Sequence, residues 1–159
     1  MAIVRVYLIA LIIFLIDQLS KYYVVHILNL VELLSIDVIP PIINFRMAWN
    51  EGINFGLFGS SSLLGRLVLI TISFIIIVCL SLWIRNGKKL TDQICVGFII
   101  GGAVGNLFDR ILYGAVADFL NMSCCGISNP FSFNIADIAI FLGAVGLIFM
   151  NSNKVEQEN

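Results

Sequence analysis

The sequence predicts an all-α membrane protein of four transmembrane helices, with a small β-structured insertion and a surface helix between the first two. Three observations predict it. The 159 residues are 60% hydrophobic and 12% charged, about half the charged share of an ordinary soluble domain. Four apolar stretches, residues 3–25, 63–84, 94–112 and 131–150, reach the roughly 20 residues that a helix needs to cross a hydrocarbon core of about 30 Å. Residues 26–62, between the first two, are too polar and too interrupted to be a span. The whole chain, 1–159, reads as one integral membrane domain.

In the first stretch Arg5 precedes an apolar run that ends at Ile16, as in a cleavable leader. Asp17-Gln18 stands where a small-residue cleavage site would be expected, so this segment is expected to stay as a helix. The insertion offers a helical-looking piece at 27–34, a break at Pro40-Pro41, and extended candidates at 42–49 and 54–58 around Asn50-Glu51-Gly52. That pattern predicts a small hairpin or sheet at the membrane surface, and a loop of this length is more often functional than idle. Arg85, Lys88 and Lys89 cluster between the second and third helices, and Lys154 follows the fourth, whereas residues 113–130 carry no Lys or Arg. The bias of basic residues therefore puts both termini and the middle loop in the cytoplasm. The polar tail, 151–159, is expected to fray.

Four of the six aspartates, Asp17, Asp109, Asp118 and Asp137, lie inside or at the edges of apolar runs. An ionised carboxylate there costs several kcal/mol and calls for a use. At about 1.5 Å per residue, Asp17 and Asp109 both lie roughly 20 Å from the cytoplasmic end of their helices. Asp118 follows the exit of the third helix, and Asp137 lies in the first turns of the fourth. The four acids thus converge on one level near the outer surface.

Each acid also has a structural reading. Asp17 precedes Lys21 by one helical turn, so the two can pair while Lys21 snorkels outward. Ser20 and Lys21 are sequence neighbours on a helix and do not face each other, which argues against a serine nucleophile with a lysine base. Gly97, Gly101 and Gly105 form a small-residue stripe suited to close helix packing. Asn106, Asp109 and Arg110 share one side of the same helix, as an ion-pair network or as part of a site. Asn134 followed by Asp137 matches a helix N-terminal cap, and Asp118 taken alone is an ordinary loop acid. Topology alters these odds by bringing Asp118 and Asp137 to one level around one loop.

Two close carboxylates cannot both ionise cheaply, so they share a proton. Such a pair can hydrolyse an amide without a covalent intermediate: one member takes a proton from water while the other binds the carbonyl oxygen. Asn134, Asn106 and Arg110 are candidates to stabilise the oxyanion or orient the pair. His26 lacks a catalytic partner at useful spacing, and Cys79, Cys95, Cys124 and Cys125 are too dispersed for a zinc site. Neither a phosphate loop nor a basic nucleic-acid face is visible. No metal, cofactor or nucleic-acid partner is expected.

These residues resemble the lipoprotein signal peptidase (signal peptidase II) family of bacterial intramembrane aspartic peptidases. The resemblance rests on five collinear motifs: Asp17-Gln18-x-Ser20-Lys21, Asn50-x-Gly52 with Phe55, Gly101-Gly102-Ala103-x-Gly105-Asn106-x-x-Asp109-Arg110, Val116-x-Asp118-Phe119, and Phe133-Asn134-x-Ala136-Asp137. It implies that Asp118 and Asp137 are the catalytic pair, that Asp17, Lys21, Asn50, Gly52, Asn106, Arg110, Asn134 and Ala136 line or support the site, and that Asp109 supports the polar cluster. It further implies an extracytoplasmic β-cradle, diacylglyceryl prolipoprotein substrates cut before the lipidated cysteine, contact with membrane lipids, inhibition by globomycin-type antibiotics, and a monomer in the bacterial cytoplasmic (inner) membrane. Asn54 departs from the small residue common before the second motif's Phe. Two other readings compete: a small proton-coupled transporter, which would spread its acids along a path across the membrane, and a scaffold, which would explain the glycines but not the acids.

Overall fold

The computed structural model of this chain describes residues 2–40, 42–52, 63–85, 89–123 and 129–155. Helix α1, Ala2–Lys21, runs on as a wider π-helical segment, Tyr22–Ile27, so the apolar helical path extends past the predicted end at residue 25. A short helix α2, Leu30–Leu33, leads to strands β1, Ser35–Ile39, and β2, Ile43–Asn50. Then come α3, Leu63–Trp83, and α4, Leu90–Leu112, followed by strand β3, Val116–Met122, and α5, Ile135–Val155. Ala2–Ile27, Leu63–Trp83 and Leu90–Leu112 are long and apolar enough to cross a membrane, and the apolar part of α5, Ile135–Phe149, is shorter.

Helix α4 is the centre, buried along much of its length, whereas α3 has no buried residue. Small residues set the closeness of its neighbours. A Cβ on Gly101 would lie 2.6 Å from the Ala10 carbonyl oxygen of α1, and one on Gly97 would lie 2.7 Å from Ile9 Cγ2. Gly102, one residue round the helix, meets the Ala136 carbonyl of α5 instead. The predicted glycine stripe therefore does what such stripes do, admitting a second backbone where any side chain would hold it off. Val6, Ala10, Ile84, Val96 and Ile100 fill the apolar core beneath.

At the other end the three strands form one antiparallel sheet in the order β1-β2-β3. The predicted small hairpin or sheet is present, with partners for its second strand that the sequence did not indicate. The partners of β2 are Ser35–Ile39 and Val116–Met122, and the candidate strand at 54–58, with Asn54 and Phe55, lies outside the described residues, as do Lys88, Cys124 and Cys125. The predicted helix at 27–34 shrinks to Leu30–Leu33 because Asn29 and Leu34 at its two ends take left-handed φ of 55° and 62°. The predicted loop at 113–130 contains β3; both faces of that strand are covered, so it lacks the alternation that marks a half-exposed strand. Helix α4 starts earlier than predicted, at Leu90, and α5 starts later, at Ile135. The tail is not frayed from residue 151, since α5 runs to Val155. Phe119, packed edge-on to Phe45 at 5.6 Å between ring centroids, anchors the sheet on Val24 and Leu30.

Candidate active site

Two features of the backbone bring Asp118 to Asp137. First, the chain ahead of α5 lies against β3: Leu120 N–H donates to the Phe133 carbonyl at 2.8 Å, and Phe133 N–H returns the bond to Leu120 at 2.9 Å. This sets Asn134 beside Asp118. Second, Asn134 caps α5 reciprocally: its Oδ1 accepts Asp137 N–H at 3.0 Å, and Asp137 Oδ2 accepts Asn134 N–H at 3.2 Å. The cap foreseen from Asn134 and Asp137 is real, and it fixes the Asp137 carboxylate in the first turn, where the positive end of the helix favours it.

Strand register supplies the third side. Ala48 pairs with Asp118 and Asn50 with Val116, so Asn50 and Asp118 are diagonal neighbours on one face of the sheet. Asn50 Nδ2 donates to Asp118 Oδ2 at 3.0 Å. Its Oδ1 accepts Gly52 N–H at 3.0 Å, with Gly52 at φ 109°, a conformation that favours glycine. A Cβ on Gly52 would also collide with Leu69 Cδ1 of α3.

Each of the four carboxylate oxygens accepts one N–H. Asn134 Nδ2 donates to Asp118 Oδ1 at 2.5 Å and Asn50 to Oδ2. Asn106 Nδ2 donates to Asp137 Oδ1 at 2.8 Å, and Asn134 N–H to Oδ2. Asp118 is buried. Burial, reinforced by the charge of Asp137, pushes its carboxyl up to about 6, against the opposing pull of the Asn50 and Asn134 hydrogen bonds and of Lys21. Arg110 lies beside the pair; its Nη1 donates to the Asn106 carbonyl at 3.3 Å, and its buried Nε has no hydrogen-bond partner.

Behind Asn106 is a second acidic cluster of opposite character. Lys21 Nζ lies 2.7 Å from Asp17 Oδ2 and 2.8 Å from Asp109 Oδ2. Asp17 also accepts Ala136 N–H at 2.9 Å, and Asp109 accepts Ala117 N–H at 3.3 Å. The Asp17–Lys21 pair forms as expected, but the predicted outward snorkel does not: Lys21 is only 5% exposed. Two buried carboxylates hold it in, one of them on α4. Ser20 Oγ donates to the Asp17 carbonyl at 2.7 Å and takes no part in the cluster. The residue that sequence reasoning passed over is Gln18, whose Nε2 bridges Asp17 Oδ2 at 3.1 Å and Asp109 Oδ1 at 3.0 Å. Its signal was available: an amide inside an apolar helix needs partners as much as an acid does.

Among the described residues the ion pairs are those of Lys21. The structure therefore gathers Asp17, Lys21, Asn106, Asp109, Asp118, Asn134, Ala136 and Asp137 into one continuous network, with Asn50, Gly52 and Arg110 at its edge. It does not spread the acids along a path through the helices, as the transporter reading requires.

The sequence profile of the family described as Signal peptidase (SPase) II matches residues 9–152. The chain is 37% identical over 158 residues to a Pelagibacter ubique protein called lipoprotein signal peptidase, a match covering 95% of this chain and 92% of that one. A protein of the same name from Methylorubrum extorquens is 41% identical over 108 residues, 68% of this chain and 63% of its own length. A solved bacterial membrane enzyme superposes with a TM-score of 0.81 at 27% identity, covering 97% of this chain and 91% of that one.

Proposed function

This chain belongs to the signal peptidase II family, and we propose that it is an integral membrane protease that removes signal peptides from diacylglyceryl-modified prolipoproteins, cutting before the lipidated cysteine. The transporter alternative has no support from the family match. The observation that carries the catalytic assignment is the contrast in charge around the four inward acids. Asp17 and Asp109 share a lysine, while Asp118 and Asp137 are held by neutral amides and one backbone N–H.

Asp118, raised to about 6 by burial and by Asp137, holds the shared proton; Asp137 is the base. Asp137 takes a proton from water as the water oxygen bonds to the scissile carbonyl carbon, and Asp118 gives its proton to the carbonyl oxygen. The resulting diol collapses: the C–N bond breaks, Asp137 passes its proton to the departing nitrogen, and a diol hydroxyl returns one to Asp118. Arg110 faces the developing charge. Asp17, Lys21, Asp109, Ala136, Asn106, Asn134, Asn50 and Gly52 hold the pair in register.

In this reading α1, α3, α4 and α5 are four spans of the bacterial inner membrane. The basic residues Arg85 and Lys89 mark the cytoplasmic side, and both termini lie there. The sheet and the pair then sit near the extracytoplasmic face, open to substrate from the lipid, to membrane lipids and to globomycin-type inhibitors. The chain works as a monomeric single domain. The test is purified protein in detergent or nanodiscs with a prolipoprotein peptide carrying or lacking the diacylglyceryl group. Cleavage before the cysteine of the lipidated peptide supports the reading, and no cleavage of either peptide overturns it.

A further inference from the structure

We propose that Lys21 is a positioning residue for the reaction, its ammonium acting through Asn106 to hold an amide N–H against Asp137. The inference rests on the assignment of Asp118 and Asp137 as the reacting pair. A side-chain amide has a donor end and an acceptor end, and the wrong end presented to a carboxylate repels it. Each of the three amides framing the pair therefore needs a group that fixes its oxygen.

For two of them that group is backbone: Gly52 N–H on Asn50 Oδ1 and Asp137 N–H on Asn134 Oδ1, both at 3.0 Å. Asn106 has no such backbone donor among its hydrogen bonds. Its Oδ1 receives Asn134 Nδ2 at 3.3 Å and Lys21 Nζ at 3.4 Å, leaving Nδ2 to Asp137. An ammonium has three protons and no acceptor. Asp17 and Asp109 take two of them, and Asn106 Oδ1 is the acceptor for the third. The two acids thus aim the ammonium as well as neutralise it.

Among the described residues the charged groups around the pair of Asp118 on β3 and Asp137 on α5 are Arg110 of α4 and Lys21 of α1, with Asp109 of α4 and Asp17 of α1 bonded to that lysine. Of these, Lys21 is the one hydrogen-bonded to the side-chain oxygen of an amide that touches Asp137. Without it the Asn106 oxygen keeps only the 3.3 Å bond from Asn134 Nδ2, and the amide turns more readily to present that oxygen, instead of its N–H, to the carboxylate.

The experiment is a pH profile of kcat/KM on the lipidated peptide. Lys21→Met alone strands two buried carboxylates, so the working comparison is Asp109→Asn against Lys21→Met/Asp109→Asn, where one carboxylate remains and can take up a proton. Loss of the lysine is expected to move the acid limb upward by about one pH unit and to lower kcat more than it changes KM. In an Asn106→Ala background the same replacement is expected to move the limb much less, because only the direct pull of the Lys21 charge on the pair is then lost. An unmoved limb, or an equal shift with and without Asn106, overturns the inference while wild-type cleavage upholds the catalytic reading. A wild type inactive at every pH overturns both.

Discussion

The protein holds two pairs of inward aspartates that share the Asn106 side chain as a border and are treated in opposite ways. Asp17 and Asp109 clasp one lysine, accept backbone N–H groups and are almost wholly buried. Asp118 and Asp137 accept their hydrogen bonds from neutral donors instead. A buried carboxylate with a counter-ion has its ionised state settled, and breaking the pair costs about 3–5 kcal/mol. A carboxylate pair hydrogen-bonded by amides, with the Arg110 guanidinium near but in no ion pair with it, retains a proton that can move. In the proposed mechanism this difference separates acids that hold structure from acids that do chemistry, and burial alone would not have separated them.

The largest effect that would break this contrast is on turnover. Asp118→Asn and Asp137→Asn are each expected to abolish cleavage, a loss of at least about a thousandfold by analogy with removal of a general acid or base, while the protein still inserts and purifies. Substantial turnover in either variant would place the chemistry elsewhere. Asp17→Asn should behave differently, since Lys21 keeps Asp109. Thermal unfolding is expected to fall by about 1–3 kcal/mol with partial activity retained, and a normally stable but inactive variant would remove the structural assignment.

Gly105→Ala sharpens the same line from the packing side. The new Cβ would stand 2.6 Å from Asp17 Oδ2, so the ion cluster must shift at a cost of about 1–3 kcal/mol. Stability should drop further than kcat, and an unchanged Tm would show that the cluster tolerates displacement.

The smallest effect concerns pH. Asp118, raised from 3.8 to about 6, binds its proton more tightly folded than unfolded. Its contribution to stability is therefore fully present below about 4 and is lost as pH rises through about 6. Asp118→Asn removes that dependence, so its Tm relative to wild type should improve from pH 4 to pH 8. The ceiling is ~3 kcal/mol, reduced by the two amide bonds that Asn cannot accept equally well. A constant difference in Tm across the range would contradict the raised value.

Much of this contrast was legible before any coordinates, for definite reasons. The glycine spacing, the Asp17–Lys21 turn and the Asn134–Asp137 cap are local, and helical periodicity announces them. The fate of Lys21 was not legible, because the snorkelling rule presumes water as the nearest polar partner and Asp109 belongs to a distant helix. Strand β3 was hidden because Val116 to Phe119 are all buried, which leaves no period of two. Its partnership with β2 sets Asn50 beside Asp118, and no short-range pattern in either segment reports that pairing. The order of the motifs pointed to residues that the fold brings together, whereas their division into paired and unpaired acids needed the fold.

The shared proton can be watched directly by infrared titration of the protein with isotope-labelled aspartate carboxyls. The expected result is a protonated-carboxyl band that titrates near 6, as for Asp118, is absent from Asp118→Asn, and moves to lower pH in Asp137→Asn, where the neighbouring charge is gone. A band that survives in Asp118→Asn, or one that titrates unmoved when Asp137 is replaced, would contradict it.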